Sequence, residues 1–167
     1  MASDKKSPGP DVVERIDIAA PPAVVWSAVS DPSQYGRWSP EATGARRRGK
    51  ANGPWSLGDR FFGTNRHWVP WATNCRVAAA VPLEEFAFDV DLGPFPLSRW
   101  AYELSPLPDG GTRLAERWTD RRVGWMGTLV KPTGLLVGRG MDAAGRNRET
   151  MRATLAAIKS DVEAGAS

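Results

Sequence analysis

The sequence predicts an α+β fold: a curved antiparallel sheet of about seven strands wrapped around a long C-terminal helix, with two short helices after strand one. Three observations carry this. An alternating strand at residues 12–20 runs directly into two proline-started helical segments. Residues 42–121 form a series of alternating apolar segments with short links. A single apolar stripe at 3- and 4-residue steps occupies the C-terminal region. A long antiparallel sheet must bury one face, and only that stripe is long enough to cover it. A sheet gripping one helix cannot close along its full length. A cavity between them is therefore expected, in the range of roughly 300–1,000 Å³ usual for small-molecule pockets.

In "VVERIDIAA" (12–20), Val12, Glu14, Ile16 and Ile18 alternate with Val13, Arg15 and Asp17, so Ile16 and Ile18 should point inward. Pro21 and Pro22 suit a helix start, because a first-turn residue needs no N–H. Asp31-Pro32 offers an N-cap and first turn for a second helix, kept short by Gly36 and ended by Ser39-Pro40. Trp26 should pack on the core beneath this corner, and Trp38 should sit at the cavity mouth.

The strand series follows. "TGARRRGKA" closes at Asn52-Gly53-Pro54, and "DRFFGTNRHW" (59–68) and "WATNCRVAAAV" (71–81) form a hairpin around Val69-Pro70. "EEFAFDVDL" (84–92), "SRWAYELSPL" and "TRLAERWTDRR" complete the meander. Residues 124–140, apolar but broken by Pro132 and glycines, read as a lid-like or kinked segment. Met141, Ala144, Arg148, Met151, Leu155, Ile158 and Val162 form the helical stripe.

The 167 residues suit one domain spanning 11–165 behind a disordered tail at 1–10, rich in Ser, Lys, Pro and Gly. A net charge of +3 is too mild a basic bias to argue for nucleic acid without a concentrated patch, and no nucleic-acid partner is expected. The basic run "RRRGK" (46–50) reads as a solvated edge strand, where such charges discourage strand-to-strand association. One cysteine excludes a disulfide framework and a cysteine-based zinc site. The lone His67 has no matched Ser, Cys or carboxylate pair, so no triad or metal site is expected. No phosphate-loop or dinucleotide pattern occurs, and no cofactor is expected. The N-terminal ten residues have no apolar run, and no stretch reaches membrane-spanning length. The expectation is a cytoplasmic protein without stable membrane insertion, a monomer or weak homodimer.

The inward faces collect Phe86, Phe88, Val90, Trp100, Tyr102, Leu104, Leu114, Glu116 and Trp118. Eight tryptophans in the chain strengthen the case for an aromatic wall, whose bland alternative is a filled core. Added as candidate ligand contacts are Trp38, Phe62 and Trp68, Met126 of the glycine-broken segment, and Arg148 and Met151 of the last helix. Glu116 shares parity with Leu114 and Trp118, so its carboxylate should face the interior, where an unpaired charge is costly. Arg148 on the helical stripe could meet it. That leaves three readings open: a structural Glu–Arg pair, a carboxyl with raised pKa working as a general acid or base, or a register slip that turns Arg117 inward instead.

"ERIDIAAPPAVVWSAVSDPSQYGRWSP", "LGDRFFG", "GGTRLAERW" and "MRATLAAIK" together resemble the polyketide cyclase/dehydrase and lipid-transport proteins of the START-related, birch-pollen-allergen-like (SRPBCC) superfamily. The resemblance spans roughly residues 12–162 and implies a helix-grip fold holding a hydrophobic ligand. It covers carriers, aromatase/cyclases, hormone receptors, ring-hydroxylase subunits and chaperone cofactors. In outline it extends to START-like proteins that protect enediyne producers by being cleaved themselves. Cyclases of this kind hold a flexible chain in one shape, a task that His67, Tyr102 and Arg66 could share.

The leading expectation is a carrier or sequestering protein for a polyketide-like, aromatic or lipid molecule. A cyclase/dehydratase in which Glu116, Tyr102 and Arg148 orient or protonate an intermediate is the second. A self-sacrificing resistance protein, reacting at the backbone of a glycine near the cavity, is the third.

Overall fold

The computed structural model describes residues 11–49, 52–66, 70–122 and 143–165. The expected tail at 1–10, His67, Trp68, Met126 and the glycine-broken segment at 124–140 lie outside the described residues. The elements run β1 (Asp11–Ile18), α1 (Pro22–Val29), a 3₁₀ helix (Pro32–Arg37), β2 (Ala42–Arg47), β3 (Arg60–Arg66), β4 (Pro70–Val81), β5 (Glu85–Leu92), β6 (Phe95–Pro106), β7 (Thr112–Asp120) and α2 (Ala143–Gly165).

The seven strands form one sheet in the order β1-β7-β6-β5-β4-β3-β2, every neighbouring pair antiparallel. Strand β1 leaves the meander to pair with β7, so β2 and β1 are the two edges. Register shifts at Ala42/Gly44, Val77/Ala79 and Val90/Asp91 bend the strands, as an extra residue in one strand of a pair does, and give the sheet its curl. Helix α2 lies in the concave side against β1 and β7 and touches α1.

Local chemistry sets the corner after β1. Pro21 is extended and Pro22 opens α1, while Asp31 caps the 3₁₀ helix by accepting a hydrogen bond from Ser33 N at 3.0 Å. Tyr35 then donates its hydroxyl to Val29 O at 2.6 Å, locking the 3₁₀ helix against the end of α1. Trp38 is buried, and its Nε1 donates to Asp161 of α2 at 3.1 Å. The expectation that Trp38 stands at the cavity mouth is thereby corrected: its N–H has a carboxylate partner on α2, which draws the ring inward. Trp26 is half-buried, edge-on to Phe86 with ring centroids 6.3 Å apart.

The helical stripe meets the sheet through Met151, Leu155, Ile158 and Val162, all buried. Facing them are Ile18, Leu104 and Leu114, each apolar side chain contributing about 1.5–3 kcal/mol on leaving water. Ile16 is only partly buried. The outward face carries carboxylate–guanidinium pairs such as Asp17–Arg113 and Glu103–Arg117. Arg117 therefore points outward and Glu116 inward, which excludes the register slip.

Candidate functional site

A cavity whose lining includes Gly44 and Ala45 of β2 and Gly63 and Thr64 of β3 lies between the concave face of β2–β7 and α2, with a volume of about 100 Å³. That is well under the expected size. The reason is that the aromatic wall packs largely on itself: Tyr35 fills the centre, 5.6 Å from the Tyr102 ring and 5.9 Å from Phe88, and Phe88 in turn meets Phe61 at 5.5 Å. Phe86 is fully buried against Trp26 and belongs to this filled end.

The cavity proper is lined by Phe61, Phe88, Trp71, Trp100 and Leu97 on the apolar side. Tyr102, Glu116, Ser98, Thr150 and Thr154 supply its polar groups, and Ser39, Glu41 and Ala42 follow the 3₁₀ helix at its rim. None of the described residues lining it is Lys, Arg or His. Alternation along β6 and β7 explains the deep end. Tyr102 and Glu116 are direct cross-strand partners, so both side chains must fall on the same face.

There the Tyr102 hydroxyl donates to Glu116 Oε1 at 3.1 Å. Glu116 is 3% exposed, and its second oxygen, Oε2, has no hydrogen-bond partner among the described residues. Burial pushes the Glu116 carboxyl up to about 8, against the smaller opposing pull of the Tyr102 hydrogen bond. At neutral pH the group is mostly the neutral acid, with Oε1 accepting from Tyr102 and Oε2 available as a donor. Burial, and then the charge of Glu116, also raise both Tyr102 and Tyr35, so neither phenol ionises near neutrality. Cys75 lines the same wall. Burial holds its thiol up to about 11, which makes it an unreactive neutral group.

The other sequence-chosen residues divide. Phe88, Trp100, Tyr102 and Glu116 line the cavity. Trp118 and Met151 are buried in a neighbouring apolar cluster with Val12. Phe62 faces outward with 39% of its surface exposed, and Phe61, one residue earlier, takes the inward place. Arg148 does not meet Glu116. It lies half-exposed on α2 and pairs with Glu14 of β1 at 3.1 Å, because β1 offers a carboxylate at the edge of the stripe. Arg66 is exposed at the end of β3. The inward polar position on that turn of α2 belongs to Asn147, 5% exposed, whose Nδ2 has no partner among the described residues.

Sequence reasoning missed Phe61, Trp71, Tyr35 and the α2 threonines. For Phe61 a signal existed: Arg60 and Arg66 share the parity of Phe62, and charges at both ends of a seven-residue strand mark its outer face.

Residues 10–163 match the family described as polyketide cyclase / dehydrase and lipid transport. No curated protein matches the sequence. Among solved structures, protein NE0264 from Nitrosomonas europaea is similar with a TM-score of 0.63 at 14% identity, covering 93% of this chain and 96% of its own. The Polyketide_cyc-like protein Cgl2372 from Corynebacterium glutamicum is 26% identical with a TM-score of 0.54, over 93% of each chain. DynU16, a protein in the dynemicin biosynthetic locus, aligns with 93% of this chain at 14% identity and a TM-score of 0.61. The chain spans about half of DynU16, 48% of that protein. The likenesses at 14% identity show the shared helix-grip fold, and the family match, covering nearly the whole chain, shows more: this chain belongs to the polyketide cyclase/dehydrase and lipid transport family.

Proposed function

We propose that the cavity binds a neutral, mostly apolar molecule through one hydrogen-bond-accepting oxygen, such as a carbonyl, and that the protein acts as a carrier or sequestering protein. The observation that carries this is the buried Glu116 carboxyl, with Oε1 engaged by Tyr102 and Oε2 unpartnered beside an aromatic wall. A protonated Oε2 donates to a ligand oxygen and loses its desolvation penalty on doing so. The described lining residues include two carboxyls and no cation, which disfavours a carboxylate or phosphate head deep in the site. At about 100 Å³ the cavity is smaller than the roughly 150 Å³ that holds benzene, so a ligand ring would enter only in part and the rest of the molecule would remain outside it.

The test is a titration with Nile red, followed by displacement with a neutral aromatic ketone or with a long-chain carboxylate at pH 7. The ketone should displace the dye and the carboxylate should do so poorly. Ala45→Phe, which fills the lined space, should abolish dye binding. Dye binding unchanged in Ala45→Phe would remove the cavity from the account.

A second reading has its own support. A carboxyl with a pKa near the working pH suits a general acid, as cyclisation or dehydration of a bound carbonyl compound requires. Glu116→Gln separates the two: a carrier keeps most of its affinity, whereas an enzyme keeps binding and loses turnover. For a sacrificial protein, Gly44 and Gly63 line the cavity wall, and a cut chain formed one-for-one with ligand would be its signature.

A further inference from the structure

The outward face of β2–β4 carries an arrangement that the cavity does not explain. Arg48, directly after β2, Arg60 of β3 and Arg76 of β4 stand in one row across the sheet. Arg48 N donates to Arg60 O at 2.8 Å, and Arg60 is in register with Arg76. Neighbouring strands are about 4.8 Å apart, so Arg60 lies well within one Debye length of both Arg48 and Arg76 at ordinary salt, and the outer two are about one Debye length apart. Like charges placed directly opposite destabilise a sheet.

Among the described residues, no carboxylate forms an ion pair with Arg48, Arg60 or Arg76. The next residue in register beyond Arg76 is Asp89, already held by Arg99 at 2.7 Å and by Arg121 at 2.9 Å. Arg46, in the adjoining row opposite Phe62, and Arg66 at the far end of β3 are exposed on the same face. Five arginines therefore share a surface in a chain whose whole net charge is +3, so the remainder is net acidic. The positive charge is concentrated, not spread.

Two large apolar side chains are exposed with them. Phe62 is 39% exposed in the middle of the patch, with the Arg48 guanidinium 4.8 Å from its ring centre. Leu57 is 71% exposed on the turn that leads into Arg60. Gly58 N is anchored to Val77 O at 2.9 Å, which holds that turn next to Arg76.

We propose that this face, comprising Arg46, Arg48, Arg60, Arg66 and Arg76 with Leu57 and Phe62, docks the protein on an anionic phospholipid surface. Clustered guanidiniums meet the headgroup charge, and the two apolar side chains reach the acyl boundary. A single-stranded nucleic acid fits less well. Proteins that bind one stack successive bases on several aromatic rings, and among the described residues proposed for this face Phe62 is the one aromatic. The proposal stands apart from the cavity reading, and either can fail without the other.

The experiment is sedimentation of the full chain with phosphatidylcholine vesicles, with and without phosphatidylserine, at low and raised salt. The protein should sediment with the anionic vesicles, stay in solution with the neutral ones, and be released by salt. Replacing Arg48, Arg60 and Arg76 together by Gln should weaken partitioning by about fivefold per arginine, about a hundredfold in all. Its melting temperature should hold or rise, because the substitution removes repulsion. Leu57→Ser should weaken partitioning while leaving the salt dependence intact. Arg15→Gln, on the opposite edge of the sheet, should have no effect. The proposal is overturned by absence of binding to anionic vesicles at low salt, by unchanged binding of the triple variant, by an equal loss in Arg15→Gln, or by retention on single-stranded RNA without retention on vesicles.

Discussion

Tyr102 and Glu116 face each other across β6 and β7, and the phenol donates to one carboxyl oxygen while the other, buried, has no partner among the described residues. Paired in this way, a group normally ionised on a protein surface is held neutral by its burial.

The first consequence is a pH dependence of stability. The Glu116 carboxyl titrates at about 8 in the folded chain against 4.5 for an ordinary glutamate. Below the lower value both states hold the proton, and the contribution is fully present. Between the two values the folded state holds a proton that the unfolded chain has released, so stability falls as pH rises. The slope approaches about 1.4 kcal/mol per pH unit and levels off above the folded value. Urea unfolding at pH 5, 7 and 9 should show this decline, and Glu116→Gln should flatten it. An unchanged slope in the glutamine variant would place the titrating group elsewhere.

Tyr102→Phe acts on the same pair from the other side. The Tyr102 hydrogen bond is the influence that lowers the Glu116 pKa, so its removal should move the carboxyl titration upward, while leaving an oxygen without its donor costs about 1–3 kcal/mol. The carboxyl carbon of Glu116, followed by NMR across the pH range, reports the first effect, and denaturant unfolding reports the second. A titration that moves down would mean that the phenol does not serve Glu116.

Arg148 offers a contrast. Its guanidinium pairs with Glu14, which Arg152 also contacts at 3.0 Å, and half of the Arg148 side chain is in water. Arg148→Gln should therefore change stability by no more than about 1 kcal/mol and leave Nile red binding unaffected. Weakened dye binding in this variant would put Arg148 back at the cavity.

Phe61 and Phe62 test how the edge strand is turned. Phe61 is buried between Trp55 and Phe88, whereas Phe62 lies on the outer face. Phe61→Ala should cost about 3–5 kcal/mol, and Phe62→Ala should stay within about 0.5 kcal/mol. Similar losses from the two substitutions would mean that the strand is not fixed in this register.

These residues show what alternation can reveal. In β5 and β7 a single parity is apolar, so Phe86, Phe88, Leu114 and Glu116 could be assigned to the interior from sequence. In β3 two phenylalanines are adjacent, and apolarity alone cannot choose between them. On α2 the stripe is broad enough that Arg148 sits at its margin, and what decides its direction is Glu14, 134 positions away on another element. The cavity volume was hidden for a related reason. It depends on how far the Tyr35 ring, fixed by its bond to Val29 O, reaches between Phe88 and Tyr102. Periodicity records which face a side chain takes, and not how deeply side chains from different elements interdigitate.

Gly36 tests the corner that shapes the cavity rim. A Cβ there would lie 2.6 Å from Thr43 O and 2.8 Å from Thr43 C. Both are backbone atoms of the segment opening β2, so no rotamer change relieves the clash, and the 3₁₀ helix must move away from the strand. Ser39, Glu41 and Ala42, which line the cavity, follow directly on that helix and would move with it. Gly36→Ala should thus cost about 1–3 kcal/mol and weaken Nile red binding together. Gly58 is the matched control. It has a positive φ of +89° but open space around its Cβ position, so Gly58→Ala should bring backbone strain of order 1 kcal/mol and leave dye affinity as it was. If both alanine variants lost stability but bound the dye equally well, the close approach of the 3₁₀ helix to β2 would matter for folding and not for the cavity.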